Sequence, residues 1–130
     1  MKEEITITQK VSYQRISDLL CNAFEGGSNY WYDIVGYVRP KDEDLWHPDK
    51  NDPIIHRHLQ YPLSKGGVIR ISSIDKFGYD ELTLEKIHLG MKIMARRYPQ
   101  HFANVINEND DAETGDVFLQ CCLFGEVIYG

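Results

Sequence analysis

The sequence predicts an α+β fold: a single compact domain in which a small, mainly antiparallel sheet packs against about three helices. Two hydrophobic patterns support this class, because short runs of alternating or β-branched residues stand among longer runs with helical periodicity. The length of 130 residues fits one domain, since a second hydrophobic core needs more sequence. We therefore expect residues 1–130 to form one unit, and 42% hydrophobic residues are enough to build its core.

A strand and a helix are expected first. The segment Glu4–Gln9 alternates apolar and polar residues, which predicts a half-buried strand with two isoleucines on one face, Ile5 and Ile7. Ser12 can cap a helix, and a core-facing stripe follows at Ile16, Leu19, Leu20, Ala23 and Phe24. Gly26 and Gly27 are expected to end this helix.

The next part of the chain predicts a strand, a long loop and a hairpin. Residues 29–38 are rich in aromatic and β-branched side chains and should contain a strand that stops before Pro40. Four prolines make residues 40–67 an irregular loop, which in a compact domain is often functional or a flap. A strand at Gly67–Ser73, a turn at Asp75–Gly78 and a partner strand at Tyr79–Leu82 should form the middle of the sheet.

The last third predicts helices. Thr83 can cap a helix that Pro99 ends or kinks, with apolar residues on one face at Leu84, Ile87, Met91, Met94 and Tyr98. A short helical piece at Gln100–Ile106 can follow. Asp110 and Asp111 are candidate caps of a final helix through Phe124, Gly125 can end it, and Glu126–Tyr129 resembles a closing strand.

Net charge and cysteine content indicate which binding partners and which cellular compartment to expect. A net charge of −6 disfavours general nucleic-acid binding, because that affinity comes largely from neutralising phosphates. No signal core or 20-residue apolar span stands in the sequence, so no membrane association is expected. The odd set of Cys21, Cys121 and Cys122 favours free thiols inside helices and a reducing cytoplasm.

Several patterns of chemically active side chains were weighed against simpler explanations. His56 and His58 can present two nitrogen ligands to a metal, with His47 nearby, but solvent-exposed loop histidines are the default interpretation. The acidic clusters at 42–52 and 108–116 lack the spacing of a calcium loop. Solvation and helix capping account for them, while an acidic face that mimics DNA is a minority alternative. No metal or cofactor is expected.

The segment 25–32, with the sequence EGGSNYWY, is the strongest local feature. Ser28 and Asn29 offer hydrogen bonds, and three aromatic residues can stack on a base or fill a partner's pocket: Tyr30, Trp31 and Tyr32. It lacks the lysine of a phosphate-binding Walker loop. The alternative is structural, a helix end that leads into an aromatic core strand.

Two blocks carry a resemblance to a known family: residues 23–32, AFEGGSNYWY, and residues 111–130, DAETGDVFLQCCLFGEVIYG. Both resemble the terminal signatures of a family of small uncharacterised bacteriophage and prophage proteins. The blocks cover about a quarter of the chain, with a looser likeness through residues 83–98 and none through 40–67. The resemblance implies a phage accessory protein that acts in the bacterial cytoplasm, where such proteins often counter host defence.

The leading hypothesis is a non-enzymatic, homo-oligomeric protein that captures a nucleotide-derived immune signal. Its expected ligand-binding residues are Ser28, Asn29, Tyr30, Trp31 and Tyr32, with Arg57 or Arg70 for phosphate charge. One alternative is direct inhibition of a host defence effector, of the anti-CRISPR or anti-restriction type. A less favoured alternative is a small metal-dependent hydrolase that uses His56 and His58.

Overall fold

The computed structural model describes residues 3–48 and 57–130 and confirms the α+β class. One antiparallel sheet has the order β1-β2-β3, with strands at Tyr32–Val38, Val68–Ser73 and Asp80–Leu82. The α-helices of the described residues are α1, Tyr13–Asn22; α2, Leu84–Arg97; α3, Pro99–Ile106; and α4, Ala112–Phe124. The hairpin and the succession of helices predicted from hydrophobic periodicity are therefore confirmed.

A bulge in β1 sets which side chains face the core. Ile34 pairs with Ile71, but the next pair is Gly36 with Arg70, so Val35 is an extra residue in β1. Directly paired residues share a face of the sheet, and Ile71 is fully buried. Arg70 alternates with Ile71 along β2 and therefore lies on the opposite, outer face.

Helix α1 follows its predicted pattern. The Ser12 side chain accepts a hydrogen bond from the backbone N–H of Arg15 at 3.2 Å, which caps the helix. The stripe from Ile16 to Phe24 is buried. The last turn widens into a π-helical turn over Ala23–Gly27 before the chain enters β1.

Helix α4 is the centre of the fold. It packs against α1, α2, α3 and β3, and every residue from Thr114 to Leu123 is buried. Gly90 of α2 and Gly115 of α4 allow this close approach. A Cβ atom on Gly90 would lie 2.4 Å from Cys122 Sγ, and one on Gly115 would lie 2.8 Å from the Leu19 carbonyl oxygen.

The two candidate caps of α4 have different roles. Asp111 caps the helix by accepting from the backbone N–H of Thr114 at 2.9 Å, and this bond lowers the pKa of Asp111. Asp110 instead pairs with Arg15 and accepts from Asn22, which ties α1 to the start of α4. The helix ends as predicted at Gly125, which has a φ of 75°.

Two predicted strands are wrong. Residues 4–9 adopt no strand and pair with none of the described strands, and Ile5 and Ile7 are 89% and 84% exposed. Alternation creates an apolar face but supplies no hydrogen-bonding neighbour. Residues 126–129 form no strand, because the Gln120 side chain takes the place of one. Its Oε1 accepts from the backbone N–H groups of Ile128 and Tyr129 at 2.8 and 2.9 Å.

The connection predicted at 40–67 contains 3₁₀ turns at Asp42–Asp44 and Arg57–Leu63. Leu59 and Leu63 join the core, and the Ser64 hydroxyl accepts from the backbone N–H of Trp46 at 2.7 Å. Residues 49–56 lie outside the described part. Across the described residues, each helix is too short or too polar to cross a bilayer.

We expect Gly90→Ala to destabilise the protein by about 1–3 kcal/mol, because the added methyl group meets the Cys122 backbone as well as its sulfur. This cost exceeds the stabilisation of at most about 1 kcal/mol that the higher helix propensity of alanine provides relative to glycine. Urea denaturation measures the change. Gly26→Ala is the control, since nothing lies within 4 Å of its added Cβ. Equal stabilities of the two variants would contradict the close α2–α4 contact.

Candidate functional site

The carboxylate of Asp116 joins the two blocks singled out in the sequence. Asp116 is only 7% exposed, and its Oδ1 accepts from Ser28 Oγ at 2.8 Å, Trp31 Nε1 at 2.7 Å and Gln120 Nε2 at 3.1 Å. Its Oδ2 accepts from the Tyr30 hydroxyl at 2.6 Å. We call these five residues the Asp116 cluster. Four donors compensate a buried charge that would otherwise be costly.

The chain after α4 is fixed to the same cluster. While Gln120 Nε2 donates to Asp116, it also donates to the Tyr129 carbonyl oxygen at 3.2 Å. The Tyr129 ring then stacks on Trp31, with ring centroids 5.2 Å apart and an interplanar angle of 14°. Blocks 23–32 and 111–130 are therefore in direct contact.

Trp31 is a core residue in this structure. Its side chain is fully buried, Tyr129 stacks on the ring, and Phe124 packs against it with centroids 5.5 Å apart. Its indole N–H is used by Asp116. This geometry matches the structural alternative for segment 25–32, and the Trp31 ring offers no open face for stacking on a ligand.

Gly27 has a close neighbour that explains the glycine. A Cβ atom there would lie 2.0 Å from the carbonyl oxygen of Ala112, whereas Gly26 faces open space. The start of α4 therefore occupies the space beside the Gly27 backbone that a ligand would need for close approach.

The remaining residues of this segment are more accessible. Asn29 is exposed and Tyr30 is 49% exposed, while the Tyr32 hydroxyl donates to the Phe24 carbonyl oxygen. Burial raises the pKa of Tyr30 to about 12, with a further contribution from its hydrogen bond to Asp116. Tyr30 also lines a cleft of about 550 Å³ whose wall includes Tyr98, His101 and Glu113.

The two predicted arginines contact other groups. Arg57 Nη2 lies 2.8 Å from His47 Nδ1. Arg70 pairs with Glu81 at 3.1 Å on the outer face of the sheet, and its guanidinium lies 5.3 Å from the centroid of the Tyr79 ring. Neither arginine lines the cleft beside Tyr30.

A second concave surface was not anticipated from the sequence. A groove of about 650 Å³ lies between residues 65–68 and the first half of α2. We call it the lysine groove, because Lys65 and Lys92 face a single acid, Glu85. The other lining residues are Gly66, Gly67, Val68, Thr83, Leu84, His88 and Leu89.

The geometry of the lysine groove depends on Gly66 and Gly67 and on the contact between Tyr13 and His88. Gly66 has a φ of 83°, and a Cβ atom on Gly67 would lie 1.8 Å from the Tyr61 carbonyl oxygen. The Tyr13 hydroxyl lies 3.0 Å from His88 Nε2, which fixes the imidazole from α1. The exposed side of α2, at residues 85, 88, 89 and 92, was the sequence signal for this wall.

Cysteine and metal chemistry receive no support from the described geometry. Cys121 and Cys122 are buried, and burial raises the pKa of Cys121 to about 11 and that of Cys122 well above its ordinary value. Within residues 3–48 and 57–130, no three His, Cys, Asp or Glu side chains could together hold a metal ion. His56 lies outside these ranges, and the His58 ring packs on Tyr37.

No protein-family model matches this chain, and neither the curated proteins nor the solved structures contain a significant match. The resemblance of blocks 23–32 and 111–130 to phage and prophage proteins therefore stays a prediction.

We expect Asp116→Ala to lower the free energy of unfolding by about 3–5 kcal/mol, because it leaves the buried donors of Ser28 and Trp31 without an acceptor and leaves Gln120 Nε2 with only the Tyr129 carbonyl. Chemical denaturation measures this loss. Glu113→Ala, an exposed acid on the same helix, should cost less than about 1 kcal/mol. Equal effects of the two substitutions would contradict the role of Asp116.

The raised pKa of Tyr30 predicts a pH dependence. The folded state holds this proton more tightly than the unfolded chain, so the stabilisation is complete below pH 10 and is lost as the pH rises towards about 12. Tyr30→Phe should therefore lose less unfolding free energy over this interval than the wild type, measured by urea denaturation at stepped pH. Tyr79→Phe is the control. An unchanged pH profile in Tyr30→Phe would contradict the prediction.

Proposed function

We propose that this chain is a phage or prophage accessory protein of the bacterial cytoplasm that captures a nucleotide-derived immune signal without chemically altering it. The lysine groove is the observation that carries the proposal. It places two lysines and one acid at a concave surface of a chain whose net charge is −6. The phage context comes from the resemblance of the two blocks.

The size and lining of the groove suit a nucleotide-sized anion. Its volume of about 650 Å³ lies within the range of ordinary small-molecule sites. Val68, Leu84 and Leu89 supply an apolar wall for a base, while Lys65 and Lys92 can neutralise phosphate oxygens. The groove also includes the start of α2, where the helix dipole favours negative charge.

Capture without turnover fits the groups that are present. The imidazole of His88 is already within hydrogen-bonding distance of the Tyr13 hydroxyl, and the buried thiols of Cys121 and Cys122 are held protonated. The groove therefore offers binding groups in preference to an activated nucleophile.

The lysine groove replaces the Trp31 segment as our proposed site of ligand contact. The polar groups of Ser28 and Trp31 are hydrogen-bonded to Asp116, whereas the lysines of the groove are exposed and can contact a ligand. Asn29 and Tyr30 remain available for a contact at the separate cleft.

A second candidate is direct inhibition of a host defence protein. The β2–β3 turn favours it, because Phe77 is fully exposed and Ile74 and Tyr79 are 70% and 52% exposed. Large apolar and aromatic side chains at a projecting turn can anchor in a partner's pocket.

Native mass spectrometry should show the protein gaining a discrete mass from a mixture of nucleotides and cyclic nucleotides. For the nucleotide that binds, titration calorimetry should give about a tenfold loss of affinity for Lys65→Gln and again for Lys92→Gln, since each removes a charge-assisted contact of about 1.4 kcal/mol. Arg96→Gln is the matched control, because it removes an exposed charge from the same helix outside the groove.

Two results would contradict the capture proposal. One is a protein that gains no mass from any nucleotide in the mixture. The other is an affinity that falls equally in Arg96→Gln and in the lysine variants. A host protein that co-purifies with the wild type but not with Phe77→Ser would then favour direct inhibition.

A further inference from the structure

Residues 3–10 form an exposed segment with the pattern of a strand but no strand partner among the described residues. All eight residues are exposed, and they adopt neither helix nor sheet. Ile5 and Ile7 lie on the same side of an alternating stretch and are 89% and 84% exposed. Two apolar side chains on one face, with unpaired backbone between them, suit addition to a sheet edge.

The segment leaves the fold at a defined point. Val11 packs against the core, and Ser12 caps α1, so the residues before them start from a fixed base. Residues 4–9 span roughly 20 Å when extended. That length is enough to lie along a complete strand of another molecule.

The sheet offers one edge that matches this segment. Its order β1-β2-β3 leaves β1 and β3 with a single neighbour each among the described strands. Strand β1 has seven residues, whereas β3 has three. An unpaired edge of that length presents backbone donors and acceptors to an incoming strand.

Charge also favours β1 over β3. Two of the three residues of β3 are acids; Glu81 is paired with Arg70, and Asp80 would repel Glu4 of the incoming segment. Strand β1 has one acid, Asp33. Its bulge residue, Val35, is 53% exposed and can supply an apolar contact for the isoleucines.

We infer that residues 4–9 pair as a β-strand with the open edge of β1 in a second copy of this chain. Two copies can make this contact reciprocally, each giving one segment and receiving the other, which closes a symmetric dimer. The alternating pattern at Glu4–Gln9 is then explained, because the strand that it pairs with belongs to another molecule. The inference uses no residue of the lysine groove and does not depend on nucleotide capture.

Sedimentation equilibrium of the full-length protein over a wide concentration range tests the dimer. Thr6→Pro/Ile7→Pro removes successive backbone donors and should weaken dimerisation at least about tenfold, as should Ile5→Asp/Ile7→Asp. Ile74→Asp changes an exposed isoleucine outside the segment and should leave the dimer unchanged. Thermal melting monitored by circular dichroism checks that each variant remains folded.

Hydrogen exchange locates the contact. In the wild type, backbone amides within residues 4–9 and 32–38 should gain protection as concentration rises, and both double variants should abolish that gain. A wild type that stays monomeric at every concentration would overturn the inference. A dimer that both double variants leave intact would also overturn it, as would protection gained at β3 instead of β1.

Discussion

The buried carboxylate of Asp116 is the constraint on which the rest of the structure depends. It lies in the most enclosed helix, α4, where an uncompensated charge would cost several kcal/mol. Compensating this charge requires hydrogen-bond donors to both carboxylate oxygens. Three of these donors belong to residues about 85 positions earlier in the chain: Ser28, Tyr30 and Trp31. Strand β1 begins at the next residue, Tyr32, so the same bonds fix where the sheet starts.

Close backbone packing reinforces this arrangement. Gly27 lies against Ala112, and Gly115 lies against the end of α1, so the backbones of the π-helical turn and α1 pack directly on the first turn of α4. The Trp31 side of the Asp116 cluster is thus interior, with the indole ring packed against Phe124 and Tyr129. Lys65 and Lys92 lie away from this cluster, at the lysine groove, where their long side chains can adapt to a ligand.

The sequence predicted the helices and the hairpin well, because hydrophobic periodicity and capping are local. Three predicted caps are found at the helix ends expected for them: Thr83 begins α2, Asp111 begins α4 and Gly125 ends α4. The segment 126–129 could not be predicted in this way, because its backbone partner is the side chain of Gln120. A side-chain amide that replaces a strand leaves no periodic pattern.

The candidate site was harder to predict for a related reason. Tyrosine and tryptophan carry an apolar ring with one polar group, so the sequence YWY fits a ligand site and a buried strand entrance equally well. A buried strand entrance requires a hydrogen-bond acceptor in the interior, whereas a ligand site does not. That acceptor is Asp116, which the sequence does not distinguish from the solvated acids of the 108–116 cluster. The lysine groove was missed because Lys65 and Lys92 come from separate elements that only the fold brings together.

The same contacts change how the two sequence blocks should be interpreted. Residues 23–32 supply hydroxyl and indole donors, and residues 111–130 supply the carboxylate, the amide and the stacked ring that they need. Neither block is stable in this form without the other, since each would bury polar groups that lack partners. The two blocks therefore build one connected part of the interior, and what this chain binds must be sought on the surfaces that this interior supports.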